Sequence, residues 1–289
     1  MALWGSLFPL IKIGYVAFDI NPSDIPSILF FAATRFLFSG IVICVAALVR
    51  GEKIKSGDKR ALGSILLIGL FSIVLHYAFL YIGISSTDSA KTAVIKQLGS
   101  LIYVCTAFLF LNSETFSRLK IIGGIIGFLG IIVINFDGTA VSFSVGDLLI
   151  IGASACTVVS SIISKRVLDS ASPVVVTGIS QLAGGAVLFL ISASLGTISL
   201  TVTPISVFVF LYISLSSIIA YLLWNYILSR CELSNMLIFK FSESLFACIF
   251  GAVLLGENIF KWQYLAAFIL IFTGIFLGNK SPKTQGKDN

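Results

Sequence analysis

Two lysines stand inside apolar stretches, Lys96 in AVIKQLGSL and Lys240 in MLIFKFSES. An ammonium at the centre of a membrane helix costs roughly 3 kcal/mol or more, so such a residue is by default a candidate for function. The chemistry open to it is to hold an anion. The two positions are related: 77 to 100, YAFLYIGISSTDSAKTAVIKQLGS, aligns without a gap on 221 to 244, YLLWNYILSRCELSNMLIFKFSES. Tyr77 then matches Tyr221, Asp88 matches Glu232, Lys96 matches Lys240 and Ser100 matches Ser244. The alternative for either lysine is that its long stem snorkels and leaves the charge near the headgroups.

Glu243 breaks the correspondence, because its partner in the first repeat is Gly99. It follows Lys240 by three residues and so shares a helix face with it. Three readings stay open: a proton-coupling site, a fixed partner that neutralises Lys240 when the cavity is empty, or a purely structural ion pair. Gln97, Ser100 and Ser244 lie within about a turn of the lysines, and Tyr77, Tyr221, Trp224 and Asn225 lie on the preceding helices. Aromatic walls with a few convergent polar groups make a small-ligand pocket. These nine residues with Glu243 are the candidate site, although for any one aromatic, including Trp4, plain packing is the competing account. His76, the one histidine, reads as a packed, hydrogen-bonded residue, Arg35 as an interhelical contact, and Lys12 as snorkelling or lining a cavity mouth.

The elements that must position these groups follow from composition. Of 289 residues 57% are hydrophobic and 11% charged, with 25 phenylalanines, which is too little polar surface for a soluble protein. Apolar runs lie near 2–18, 27–49, 61–84, 91–111, 119–136, 147–165, 173–196, 205–228, 233–255 and 263–278. At about 20 residues per crossing these predict an all-α membrane protein with ten transmembrane helices. The first run has no basic region before it and no small-residue cleavage site after it, so it reads as a helix of the mature chain. It is short for a first span, as if a few residues had been lost before it. The five cysteines show no paired spacing and read as free thiols.

Orientation follows from the basic residues. With both termini cytoplasmic, Arg50, Lys53, Lys55, Lys59, Arg60, Arg118, Lys120, Lys165, Arg166, Arg230, Lys280, Lys283 and Lys287 lie inside, and only Lys91 and Lys261 outside. The net charge of +6 then belongs to loops facing the anionic inner leaflet and is no argument for nucleic-acid binding. Five helices per repeat is odd, so the halves enter the membrane from opposite sides, the inverted arrangement of secondary transporters. On this count Lys96 lies roughly 8 Å below the outer boundary of a core ~30 Å thick, and Lys240 about 10 Å from the inner one.

The ordered motifs resemble the drug/metabolite transporter superfamily with EamA-type repeats. The resemblance rests on LWGSLFPLIK in the first helix, ATRFLFSGI in the second, and the closing glutamates Glu114 in NSETF and Glu257 in LLGENIF. Each glutamate precedes a glycine-bearing helix, IIGGIIGFLGIIVIN or YLAAFILIFTGIFLG. It implies a ten-helix carrier of small metabolites, often an exporter, with a central cavity between two repeats, 1–136 and 147–278, and a cytoplasmic tail at 279–289. Many relatives carry a proline before the closing glutamate where this chain has Leu101 and Ser244, and the two lysines are not general to the family.

The expectation is a secondary carrier of the cytoplasmic membrane. Its cargo is a small molecule with a carboxylate, such as an amino acid, and protons are the candidate coupling ion. No cofactor, metal or nucleic acid is expected, and a monomer is. Gly123, Gly124, Gly127, Gly130, Gly274 and Gly278 are read as helix packing, since no strand and lysine make a phosphate loop of them. A membrane-embedded enzyme is the rival from another class, but no G-x-S-x-G or H-E-x-x-H occurs. A channel lacks a recognisable filter. A carrier for a cationic or neutral compound is the remaining alternative.

Overall fold

The computed structural model describes residues 1–21, 23–52, 59–85, 89–106, 116–134, 144–256 and 262–280. Lys53, Lys55, Asp88, Glu114, Glu257, Lys261, Lys283 and Lys287, and the side chain of Lys91, lie outside the described residues. Helix occupies each apolar run read from the sequence. The helices are α1 (Ala2–Ala17), α2 (Ile25–Val49), α3 (Lys59–Gly69), α4 (His76–Ser85), α5 (Ser89–Thr106) and α6 (Arg118–Ile134). They continue as α7 (Val145–Val167), α8 (Pro173–Leu195), α9 (Pro204–Leu228), α10 (Leu233–Lys240), α11 (Ser242–Leu255) and α12 (Trp262–Asn279). No strand occurs among the described residues. Among the described residues, six helical stretches are long and apolar enough to cross a membrane, including Ile25–Val49, Pro204–Leu228 and Leu233–Leu254, and Ala2–Ala17 and Trp262–Gly278 are shorter apolar helices.

Local chemistry sets several helix starts. Asp24, Ser172 and Thr203 cap α2, α8 and α9 by accepting the backbone N–H of Ser27, Val175 and Ser206, and Pro173 and Pro204 open the helices behind two of these caps. Ser144 and Asp147 form a reciprocal capping box on α7. Each such cap contributes about 1 kcal/mol where the first turn would otherwise leave its amides unpaired.

Two runs that read as continuous helices are interrupted, and both interruptions fall at the site. The run through α3 and α4 passes through a π-helical segment, Leu70–Leu75, just before His76. The last long run breaks at Phe241, between Lys240 and Glu243, where Phe241 N–H donates to Ile238 O and Ser244 N–H to Phe241 O. The tighter i to i+3 bonds there replace the regular ladder for one turn.

The helices pack in reciprocal pairs. α2 lies along α8 and α6 along α12, α1 packs on α9 and α11, and α7 packs on α4 and α5. The close approach of α6 to α12 depends on glycine: a Cβ at Gly123 would sit 2.5 Å from Gly274 O and 2.7 Å from Gly278 N, and one at Gly274 2.5 Å from Gly123 O. The glycine stripes are therefore packing surfaces, as the sequence suggested. Large side chains such as Phe208, Leu190, Phe272 and Trp262 are exposed on the outside, as expected of a surface solvated by lipid. The buried polar groups, Ser, Gln, Asn, Arg and Lys, lie inward.

Candidate functional site

Where α1, α4, α5, α7, α9, α10 and α11 converge, they line a cavity of about 90 Å³. Its charged lining is Lys96, Lys240 and Glu243, its aromatic lining Trp4, Tyr77, Tyr221 and Trp224, and its hydroxyl lining Ser72, Thr157, Ser160 and Ser161, with His76 beside them.

Lys96 is set by a contact between α5 and α7. Ser154 Oγ donates to the Lys96 carbonyl at 2.6 Å and accepts from Gly99 N–H at 2.9 Å. This requires a glycine at 99, because a Cβ there would come within 2.4 Å of Ser154 Oγ. The side chain of Lys96 runs to Glu243, with Nζ 3.4 Å from Oε1, joining the N-terminal half of the chain to the C-terminal half. Glu243 is 3% exposed, and its Oε2 accepts no hydrogen bond among the described residues. The sequence reading paired this carboxylate with Lys240; the ion pair it forms in the structure is with Lys96. Lys96 reaches the carboxylate from α5, a contact across helices that spacing along a single helix does not reveal.

Lys240 ends α10 and is buried, at 8% exposure. Its Nζ lies 5.7 Å from the Trp4 ring centroid and 5.6 Å from that of Trp224, and the two rings are themselves 5.2 Å apart. A desolvated ammonium facing indole rings gains about 2 kcal/mol from the ring quadrupole. Trp4 also meets Tyr221 edge-on at 5.7 Å. Both lysines thus point into the protein and line the cavity; neither snorkels to the surface. Lys12, in contrast, is exposed.

His76 lies against α7. Its Nδ1 is 2.9 Å from the Ala153 carbonyl and 3.0 Å from Thr157 Oγ1. A carbonyl only accepts, so Nδ1 carries the proton and Nε2 is left as the acceptor of the neutral ring. The histidine is packed and hydrogen-bonded, as its setting in the sequence suggested, and it also lines the cavity. Arg35, 1% exposed, lies 4.5 Å over Phe36 and 5.3 Å over Tyr77, an interhelical contact behind the cavity wall.

Of the ten residues picked from the sequence, Lys96, Lys240, Glu243, Tyr77, Tyr221 and Trp224 line one cavity, and Gln97, Ser100, Ser244 and Asn225 do not. Asn225 Nδ2 donates instead to Thr177 Oγ1 on α8 at 2.9 Å. Gln97 and Ser100 are buried in helix packing, and Ser244 is half-buried. The hydroxyl wall of α7 went unread, although CTVVSSIIS shows it in outline as hydroxyls on one helix side. Ser160 and Ser161 both donate to Thr157 O, which satisfies their protons locally and leaves their oxygens as acceptors.

A helical membrane protein with a charged, aromatic-walled cavity at the junction of its two halves has the build of a transporter. The EamA-like transporter family model matches residues 1–136 and 144–279, and the chain belongs to that family. Its relatives include an uncharacterized transporter of Archaeoglobus fulgidus, 26% identical over 96% of this chain and 95% of that one. Two more are the uncharacterized transporter YvbV of Bacillus subtilis, 26% identical over 98% and 90%, and the uncharacterized inner membrane transporter YedA of Escherichia coli K12, 26% over 95% and 87%. A solved protein crystal structure shares the fold with a TM-score of 0.77, at 19% identity over 95% of this chain and 92% of that one.

Proposed function

We propose that the chain is a secondary carrier that moves a small carboxylate-bearing metabolite across the cytoplasmic membrane by alternating access, in the direction of export. The observation that carries this reading is the placement of Lys96 and Lys240, from the two halves, around one buried cavity. Buried ammonium groups persist where they pair or bind, and two of them facing one carboxylate leave room for an anionic cargo.

The architecture we propose is ten crossings in two inverted five-helix repeats, 1–136 and 147–278, with both termini and the tail 279–289 cytoplasmic. Support comes from the reciprocal packing, in which exchanging the halves turns the contacts of α1 with α9 and α11 into those of α7 with α4 and α5. The cavity of about 90 Å³ holds a few waters and is below the size of ordinary metabolite sites, which begin near ~300 Å³. Cargo of ordinary metabolite size therefore enters only when the halves rock apart.

The reading is tested by thermal unfolding of the purified protein with organic acids, amino acids, phosphorylated metabolites and organic cations. A carboxylate should stabilise the wild type, and Lys96→Met and Lys240→Met should each abolish the effect. Stabilisation by cations alone, or by carboxylates equally in both variants, sinks the proposal.

A further inference from the structure

We infer that Glu243 sets the charge of the cargo, so that the site selects a carboxylate of one net negative charge, and that removing the carboxylate of Glu243 turns it into a site for a dianion. This rests on the carboxylate-carrier reading above and sharpens it.

The charges that line the cavity are Lys96 from α5, Lys240 from α10 and Glu243 from α11. The other elements packed there contribute Trp4 from α1, His76 and Tyr77 from α4, Tyr221 and Trp224 from α9, and only hydroxyls from α7. With both lysines protonated and Glu243 ionised, two cations face one anion. The guanidinium of Arg35 lies behind Tyr77, against its ring and that of Phe36, and is not part of the lining. A buried charge without a counter-charge is costly, so the cargo that completes the site brings one negative charge.

Geometry assigns where that charge goes. Lys96 is already held at 3.4 Å by Glu243, whereas Lys240 is flanked by the faces of Trp4 and Trp224, which stabilise a cation without neutralising it. The cargo carboxylate therefore seats at Lys240. Glu243 Oε2, buried and without a hydrogen-bond donor among the described residues, is open to a donor on the same cargo, such as a hydroxyl. The site cannot hold a second carboxylate of its own, because the position that corresponds to Glu243 is Gly99, and Ser154 Oγ occupies the space a side chain would need there. A zwitterionic amino acid satisfies the hydrogen bonds but leaves the excess positive charge in place.

The test measures stabilisation of the purified full chain at pH 7 by three series matched in length from two to eight carbons: alkyl monocarboxylates, α,ω-dicarboxylates and ω-amino acids. Wild type should prefer a monocarboxylate over the dicarboxylate and amino acid of equal length. Glu243→Gln should reverse the first preference, changing the ratio of apparent affinities at least tenfold, and Glu243→Asp, which keeps the charge, should hold the wild-type order. An unchanged order in Glu243→Gln, or the same reversal in Glu243→Asp, overturns the inference while leaving the carboxylate reading intact. If no member of any series stabilises wild type, that reading itself falls, and the inference with it.

Discussion

Breaking the pair between Lys96 and Glu243 should destabilise the protein far more when done from one side than from both. The two groups are 3.4 Å apart with side chains 13% and 4% exposed. At an effective dielectric constant near ~20 their attraction is about 5 kcal/mol, partly offset by the cost of removing both charges from water. Lys96→Met leaves the buried carboxylate without its ion-pair partner and should cost about 3 kcal/mol. Glu243→Met leaves two ammonium groups on one small cavity and should cost about as much. Lys96→Met/Glu243→Met removes both charges and should recover most of the loss, giving a coupling energy of at least about 2 kcal/mol. Equilibrium unfolding in mixed micelles of mild and denaturing detergent measures all four corners of the cycle. Single losses below about 1 kcal/mol, or a double variant equal to the sum of the singles, would refute the view that this pair ties the two halves together.

Other expectations follow from particular contacts. Asn225→Ala removes the bond to Thr177 and should lower stability by about 1 kcal/mol with cargo affinity unchanged; a selective loss of affinity in a binding titration would put Asn225 back in the site. Gly123→Ala drives a methyl into the α12 backbone and should cost roughly 1–3 kcal/mol in the same unfolding assay, whereas an unperturbed protein would mean that α6 and α12 are not in contact. Trp224→Leu removes one of the two rings over Lys240 and should weaken carboxylate binding several-fold without loss of fold by circular dichroism, and unchanged affinity would show that the indole contact is incidental.

The lysines were legible because the repeat displays them twice: YAFLYIG and YLLWNYI fix the register in which Lys96 falls on Lys240. The helices were legible from their apolar length. Side-chain direction was harder. Gln97 adjoins Lys96 and Asn225 adjoins Trp224, but successive residues of a helix diverge by about 100°, so neighbours in sequence leave on different faces. The partner of Glu243 could not be read because it lies on a helix distant in sequence, which only the fold brings near. The π segment before His76 leaves no distinct composition in LFSIVL, and the role of Gly99 depends on Ser154, which only the fold brings near.

Counterflow in proteoliposomes tests the central claim, that Lys96 and Lys240 hold a carboxylate cargo between two rocking halves. Vesicles loaded with the best-binding monocarboxylate should take up external labelled compound in a saturable overshoot with wild type, and should show none with Lys96→Met or Lys240→Met. A flux that does not saturate, or an overshoot of equal height in both variants, would contradict the account.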